Sequence, residues 1–145
     1  MPMITPLADR HVERRWTSPD GLSLYARDYA PAEGPARLPV IAIHGLTRNS
    51  ADFGVVAGLI AHSGRRVLAV DVRGRGRSDR APDPMTYTPD VYAKDVVALM
   101  EQTGIEKAVF LGTSMGGLIT MALTALKPKA IAAATDIVIG DDGIG

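Results

Sequence analysis

The stretch AVFLGTSMGGLITMALTAL, residues 108–126, joins a short apolar run to a second apolar run through a glycine-rich turn. Residues 108–111 are typical of a buried strand, and the apolar residues after the turn recur at helical spacing. Gly112 and Gly116 lack a Cβ atom, so the two arms can approach closely and Ser114 can adopt a strained backbone. The stretch therefore predicts a sharp strand-turn-helix junction. The apolar residues at helical spacing are Leu118, Ile119, Met121, Ala122 and Leu126.

Ser114 at the apex of this turn has two interpretations. The spacing G-x-S-x-G between a strand and a helix is the pattern of a nucleophile elbow, which presents a serine hydroxyl for attack on an acyl carbon. The alternative is an ordinary glycine-rich turn whose serine caps the helix. Because short glycine-serine patterns arise often by chance, the five residues alone do not decide between the two.

Composition limits the other classes of function. The chain has 145 residues, the length of one domain, and we expect a single domain over residues 1–145. It is 46% apolar with 16 basic and 16 acidic residues, which is typical of a soluble globular protein and gives no attraction for nucleic acid or an anionic membrane. It contains no cysteine, so disulfides and thiolate metal sites are excluded. We expect neither a cofactor nor a metal.

The N-terminal residues and the apolar runs bear on localisation. Residues 1–16 carry charge but no apolar segment like that of a signal peptide. No uninterrupted apolar run approaches the length of a membrane span. We therefore expect a cytoplasmic protein that does not contact a membrane.

The order of predicted elements is a β-hairpin followed by β-α-β-α-β-α-β. Residues 19–21, Pro-Asp-Gly, are a turn signal within the hairpin, and Thr88, Pro89 and Asp90 are typical of the first turn of a helix. Alternation of this kind predicts an α/β fold: a three-layer sandwich with about six strands, mostly parallel, and an antiparallel N-terminal hairpin. Ser114 should then lie at the carboxyl end of a strand, where open α/β sheets bind ligands.

Three segments resemble successive signatures of the α/β-hydrolase fold family, in that family's order and spacing. They are IHGLTRNSADF (43–53), VLAVDVRGRGRSD (67–79) and LGTSMGGLITM (111–121). The resemblance extends from Trp16 onward and implies the N-terminal half of such an enzyme, without the cap and the C-terminal strands. It favours the nucleophile interpretation of Ser114. A serine here, where dehalogenases and epoxide hydrolases of this fold have aspartate, implies hydrolysis of carboxylic esters or lactones.

A serine nucleophile needs donors for the oxyanion that its attack creates. The resemblance implies that the backbone N–H groups of Leu46 and Met115 form this oxyanion hole, and Met115 also opens a helix whose dipole favours negative charge. His44 is either a base or, as the resemblance favours, the residue that shapes the loop below the site. The other residues of the structural motif are Gly45, Gly112, Gly116 and Gly117.

The general base is the missing part. In the resembled family the acid and then the histidine follow the serine along the chain. Here His11, His44 and His62 all precede Ser114. Asp136, at the end of the last predicted strand, is a candidate acid, and its alternative role is that of a turn residue at a strand end. The resemblance therefore implies weak activity at most.

The glycine-arginine loop RGRGRSD, residues 73–79, also has two interpretations. Arg73, Arg75 and Arg77 either bind an anionic substrate or pair with carboxylates of the protein, and the second is the commoner role of such residues. The loop lacks the G-x-x-x-x-G-K pattern of nucleotide-binding proteins.

Two classes of function follow. The first is a serine hydrolase that acts on a small-molecule ester or lactone through an acyl-enzyme on Ser114. The alternative is a non-catalytic truncated domain that self-associates, or complements a separate C-terminal half, through an exposed sheet edge. That edge is the apolar run IAAATDIVI, which begins at Ile131 and ends at Ile139. A strand of this kind without a neighbour invites another chain to pair with it, so we expect a homo-oligomer, most simply a dimer.

Overall fold

The computed structural model describes residues 11–136, which form six strands and three α-helices joined by loops and short 3-10 turns. The predicted α/β element order is confirmed. The elements are β1 His11–Thr17, β2 Ser23–Tyr29, β3 Val40–Ile43, α1 Gly54–His62, β4 Val67–Asp71, α2 Pro89–Thr103, β5 Ala108–Gly112, α3 Met115–Leu126 and β6 Ile131–Asp136.

All six strands belong to one sheet, in the order β1-β2-β4-β3-β5-β6. β1 pairs antiparallel with β2 and β2 antiparallel with β4, whereas β4, β3, β5 and β6 run parallel to one another. Ile43 pairs with Gly112, and Gly112 pairs with Asp136. The carboxyl ends of β3, β5 and β6 therefore meet at one edge of the sheet, which we call the carboxyl edge.

The sheet is covered on both faces, which gives three layers. α1 packs on one face, against the side chains of Val40 and Ala42 among others. α2 and α3 pack on the other face, against Ile41 and Ile43. Successive residues of β3 thus point into different cores, so the strand is buried on both faces, as its unbroken apolar sequence predicts.

The start of α2 agrees with its sequence signal. The Thr88 hydroxyl oxygen accepts a hydrogen bond from the Val91 N–H at 3.3 Å, and Pro89 occupies the first helical position. Gly104 ends the helix in the left-handed conformation, with φ of 71°. These capping signals involve only a few consecutive residues, so the ends of the helix can be predicted from the sequence alone.

The apolar surface of α3 is wider than the face that the helix buries. Ile119 and Leu123 are fully buried, but Leu118 is 55% exposed and Met121 is 68% exposed. The helical spacing correctly predicted α3, whereas it did not indicate which apolar side chains face the sheet. An apolar strip of α3 therefore faces outward beside β6.

A buried charge network ties the N-terminal hairpin to the rest of the fold. Arg73, only 1% exposed, makes two hydrogen bonds of 2.8 Å to Asp95 of α2 and two of 2.9 Å to Asp20 of the hairpin turn. The indole N–H of Trp16 donates to the Asp95 backbone carbonyl at 2.8 Å. Hydrogen bonds from Arg73 and then Ser18 lower the pKa of Asp20 to about 2.

The outer edge of β6 has no neighbouring strand among residues 11–136. The predicted edge strand is thus present as Ile131–Asp136, and the remaining predicted residues, 137–139, lie outside the described part of the chain. Within residues 11–136, no helix combines the length and the apolar character that crossing a bilayer requires.

Candidate active site

Ser114 lies at the junction between β5 and α3, at the carboxyl edge. Its φ of 52° and ψ of −109° make it the one non-glycine residue with positive φ among residues 11–136. Its side chain is exposed and makes no capping hydrogen bond to α3. The capping interpretation therefore fails. The turn holds Ser114 in a strained backbone conformation with its side chain accessible.

The two glycines of the turn are required by close packing. A Cβ atom on Gly116 would lie 2.0 Å from the carbonyl oxygen of Ile43, and one on Gly112 would lie 2.6 Å from the carbonyl carbon of Gly116. Both distances are far below van der Waals contact. The glycines thus let α3 start directly against β3 and β5, which forces the sharp turn at Ser114.

The loop after β3 passes beside the serine. The Cβ position of Gly45 is 3.7 Å from the Cβ atom of Ser114. Within residues 11–136, the backbone N–H groups of Leu46 and Met115 have no hydrogen-bond partner. The predicted donors therefore come from two segments that lie against each other, and both amides are available to a bound group.

His44 is completely buried and both of its ring nitrogens are engaged. The Val72 N–H donates to Nε2 at 3.0 Å, so Nε2 is unprotonated and Nδ1–H donates to the Gly45 carbonyl at 2.7 Å. Burial lowers the pKa of His44, which favours this neutral form. With no free nitrogen, His44 is not the general base; it holds the loop that carries Leu46.

The remaining histidines lie far from the serine. His11 pairs with Tyr29, and Tyr29 pairs with Val67 at the start of β4. His11 therefore lies at the amino ends of the parallel strands, away from the carboxyl edge and Ser114. His62 ends α1, just before β4 begins, and therefore lies at the amino ends too. No histidine of residues 11–136 is thus placed to take a proton from Ser114.

Asp136 is the final residue of β6 and pairs with Gly112, two residues before the serine. The register thus puts the candidate acid and the elbow on neighbouring strands at the carboxyl edge. Its role as a catalytic acid stays a prediction.

Asp71, which the sequence reasoning missed, organises the loops around the site. Its buried carboxylate accepts the Ser50 N–H at 2.7 Å and the Arg77 N–H at 2.9 Å. Gly76 packs so closely that a Cβ atom there would lie 2.2 Å from a carboxylate oxygen of Asp71. The one available signal was an acidic residue at the end of an otherwise apolar strand.

An open cavity of about 350 Å³ adjoins Ser114 between α3 and β6. Leu118, Met121 and Ala134 contribute apolar surface. The hydroxyl groups of Thr120 and Thr124 donate to backbone carbonyls of α3 at 2.9 Å, so their protons are already used. The cavity therefore suits an apolar group next to the serine.

Comparison with known proteins agrees with this geometry. The family model described as alpha/beta hydrolase fold matches residues 39–139. A 3-hydroxybutyrate-oligomer hydrolase of Cupriavidus necator is 40% identical over 114 residues, which cover 78% of this chain and 38% of the relative. An sn-1-specific diacylglycerol lipase of Mus musculus is 35% identical over 105 residues, which cover 71% of this chain and 33% of the relative.

Solved structures give the same result. An α/β hydrolase from Novosphingobium aromaticivorans superimposes with a TM-score of 0.81 and 48% sequence identity, over 90% of this chain and 45% of that chain. The chain thus spans less than half the length of each of these relatives. Since the family model covers more than half of the sequence, the chain belongs to the α/β-hydrolase fold family.

Proposed function

We propose that the protein is a serine hydrolase that cleaves small-molecule carboxylic esters or lactones through an acyl-enzyme on Ser114. The observation that carries the proposal is the exposed Ser114 at φ 52°, beside a loop whose amide, like that of Met115, has no partner among the described residues. A strained residue persists where the surrounding structure holds it, and such strain clusters at active sites.

The chemistry proceeds in two halves. The Ser114 hydroxyl oxygen attacks the acyl carbon, and the Leu46 and Met115 N–H groups bind the oxyanion of the tetrahedral intermediate. The ester C–O bond then breaks, the alcohol leaves with the serine proton, and water hydrolyses the acyl-enzyme in the same manner. A lactone differs only in that its alcohol stays attached to the acyl group.

Activity should be low, because no described residue is placed as the general base. Triad enzymes that lose a member keep about 10³–10⁴-fold catalysis over water from the oxyanion hole and from binding. Asp136 is our proposed acid, on the basis of its position beside Gly112. We expect the chain to act on activated esters.

The substrate class is supported by the relatives and by the cavity. The relatives' names describe hydrolysis of 3-hydroxybutyrate oligomers and a lipase acting on diacylglycerol. The cavity beside Ser114 is lined largely by apolar side chains, and the hydroxyl protons of Thr120 and Thr124 are donated to backbone carbonyls. An ester or lactone with an apolar acyl chain fits these features.

Replacing Ser114 tests the proposal. Ser114→Ala and Ser114→Gly should both lower the rate of p-nitrophenyl acetate hydrolysis and abolish labelling by a fluorophosphonate probe. Ser114→Gly should also stabilise the fold relative to Ser114→Ala by about 1–3 kcal/mol, because glycine adopts this backbone without strain. Rates and chemical denaturation measure the two effects. Labelling that persists in Ser114→Ala, or a wild-type chain that is never labelled, would contradict the proposal.

We propose as a second function that the chain self-associates through β6. The supporting observation is that the outer edge of β6 has no neighbour among residues 11–136, next to the outward-facing Leu118 and Met121 of α3. A strand edge offers unpaired N–H and C=O groups, and the apolar strip adds surface to bury. A two-fold dimer would satisfy both at once.

Light scattering at several concentrations tests the association. We expect a mass of at least twice the 15.3 kDa of one chain for the wild type. Ala133→Lys, which places a charge on β6, should shift the population to monomer. Ala51→Lys adds the same charge to an exposed alanine near α1 and is the matched control. A wild-type chain that stays monomeric at high concentration would refute the dimer.

A further inference from the structure

We propose that Arg75 is a positioning residue that fixes the backbone of Leu46, and with it one donor of the oxyanion hole. The inference rests on the proposed hydrolase function and adds to it a residue whose side chain does not touch the substrate.

The Arg75 guanidinium is held by three hydrogen bonds. Its Nε donates to the Leu46 carbonyl oxygen at 3.2 Å. Its Nη1 donates to the Arg73 carbonyl oxygen at 3.2 Å and to the Tyr92 hydroxyl oxygen at 3.0 Å. The side chain therefore links the loop after β3 to the loop after β4 and to α2.

Two aromatic rings complete the support. The guanidinium carbon lies 5.4 Å from the ring centroid of Tyr92 and 5.9 Å from that of Tyr87, within the range of cation–π attraction. The Tyr87 ring is itself fixed, since its hydroxyl accepts the Ala81 N–H at 2.8 Å. The absence of a side chain at Gly74 provides space for the Tyr87 ring, because a Cβ atom there would lie 2.7 Å from it. Hydrogen bonds and aromatic contacts thus hold the guanidinium in one position.

Arg75 differs in its partners from the other arginines of its loop. Arg73 pairs with Asp95 and Asp20, and Arg77 pairs with Glu13. Among residues 11–136, Arg75 has no carboxylate within ion-pair distance. The expectation that these arginines neutralise carboxylates therefore holds for two of them, while Arg75 directs its donors to backbone oxygens and a tyrosine.

Leu46 needs such support because packing does not provide it. Its side chain is 59% exposed. The carbonyl before it, that of Gly45, accepts hydrogen bonds from His44 Nδ1 and from the Arg48 N–H at 3.1 Å. The carbonyl of Leu46 itself accepts from Arg75. Hydrogen bonds on both flanking peptide units thus fix the residue.

The direction of the donor follows from peptide geometry. In a trans peptide the N–H points opposite to the C=O, so the held Gly45 carbonyl aims the Leu46 N–H the other way. Arg75 prevents rotation of the next peptide unit, which would carry Leu46 with it. An oxyanion hole works because its donors are already in place before the reaction, so a loosened Leu46 should slow the chemical step.

The test compares Arg75→Ala and Arg75→Lys with the wild type, and uses Arg77→Ala as the matched control from the same loop. We expect Arg75→Ala to lower the fluorophosphonate labelling rate of Ser114 by about tenfold, less than the 10²-fold or more of losing a donor outright. The loss should appear in kcat for p-nitrophenyl acetate and leave KM within about twofold, since the donor acts mainly in the transition state. Arg77→Ala should match the wild type.

Arg75→Lys separates hydrogen bonding from charge. Lysine keeps the positive charge but cannot bridge Leu46 and Tyr92 as the planar guanidinium does, so it should stay at least about threefold slow. ¹⁵N order parameters of Leu46 and Thr47 should fall in both Arg75 variants and not in Arg77→Ala.

The outcomes are distinguishable. A labelled wild type with an Arg75→Ala variant of equal rate and equal order parameters would overturn the positioning role and leave the hydrolase proposal intact. Full recovery by Arg75→Lys would overturn it as well, because charge alone would then suffice. A wild type that is not labelled at Ser114 would overturn the proposed function, and this inference with it.

Discussion

Gly116→Ala is expected to prevent the chain from reaching this fold under conditions where the wild type is folded. The added Cβ would lie 2.0 Å from the Ile43 carbonyl oxygen, and that oxygen belongs to a central strand. No side chain can move aside to relieve the clash, so α3 must separate from β3. We expect a loss of at least about 3 kcal/mol in the free energy of unfolding, the upper end of the usual cost of overpacking.

Gly104→Ala is the matched control for this substitution. Gly104 has φ of 71°, which disfavours alanine, but a Cβ atom there would meet nothing within 4 Å. Its cost should be the backbone strain alone, about 1 kcal/mol. Circular dichroism and urea denaturation give both values. Equal stabilities for the two variants would show that the close approach at Gly116 is not what holds the elbow.

Arg73→Met is expected to destabilise the protein by about 3–5 kcal/mol. The substitution removes the partner of Asp95 and leaves a carboxylate that is 4% exposed, and breaking a buried pair from one side has a cost of this size. It also releases Asp20, so the hairpin turn loses its connection to α2. Urea denaturation monitored by the fluorescence of Trp16 measures the change.

Arg77→Ala and a double variant serve as controls for Arg73→Met. Arg77 pairs with Glu13 at the surface, so its loss should cost less than about 1 kcal/mol. Arg73→Met combined with Asp95→Leu should be more stable than Arg73→Met alone, because no unpaired charge remains inside. A single variant as stable as the wild type would mean that the network contributes nothing to the fold.

Local signals made the sheet and α2 predictable from the sequence. The unbroken apolar segments at residues 40–43 and 67–70 become strands buried on both faces, and Thr88 with Pro89 starts α2. The family resemblance rests on short segments of this kind, in which the fold constrains each residue type. The order of the elements and the position of the elbow followed from them.

Partners distant in the sequence were not predictable. Arg73 pairs with Asp20 at a separation of 53 residues, and the Val72 N–H that fixes the ring of His44 lies just after β4, 28 residues later. The spacing of apolar residues along the sequence does not indicate such pairs, because they form only when the loops after β3 and β4 meet at the carboxyl edge. For the same reason the sequence did not distinguish between His44 as a general base and His44 as a residue that shapes the loop. Its two hydrogen bonds in the structure favour the loop role.

The positive φ of Ser114 has a consequence for how this chain would change over generations. Glycine would fit that backbone at no cost, so a lineage that no longer used the hydroxyl would gain stability from the first Ser114→Gly mutation and tend to retain it. Only selection for the hydroxyl opposes this drift. Counting serine against glycine at this position among related sequences would therefore report, without any assay, whether selection has kept the hydroxyl.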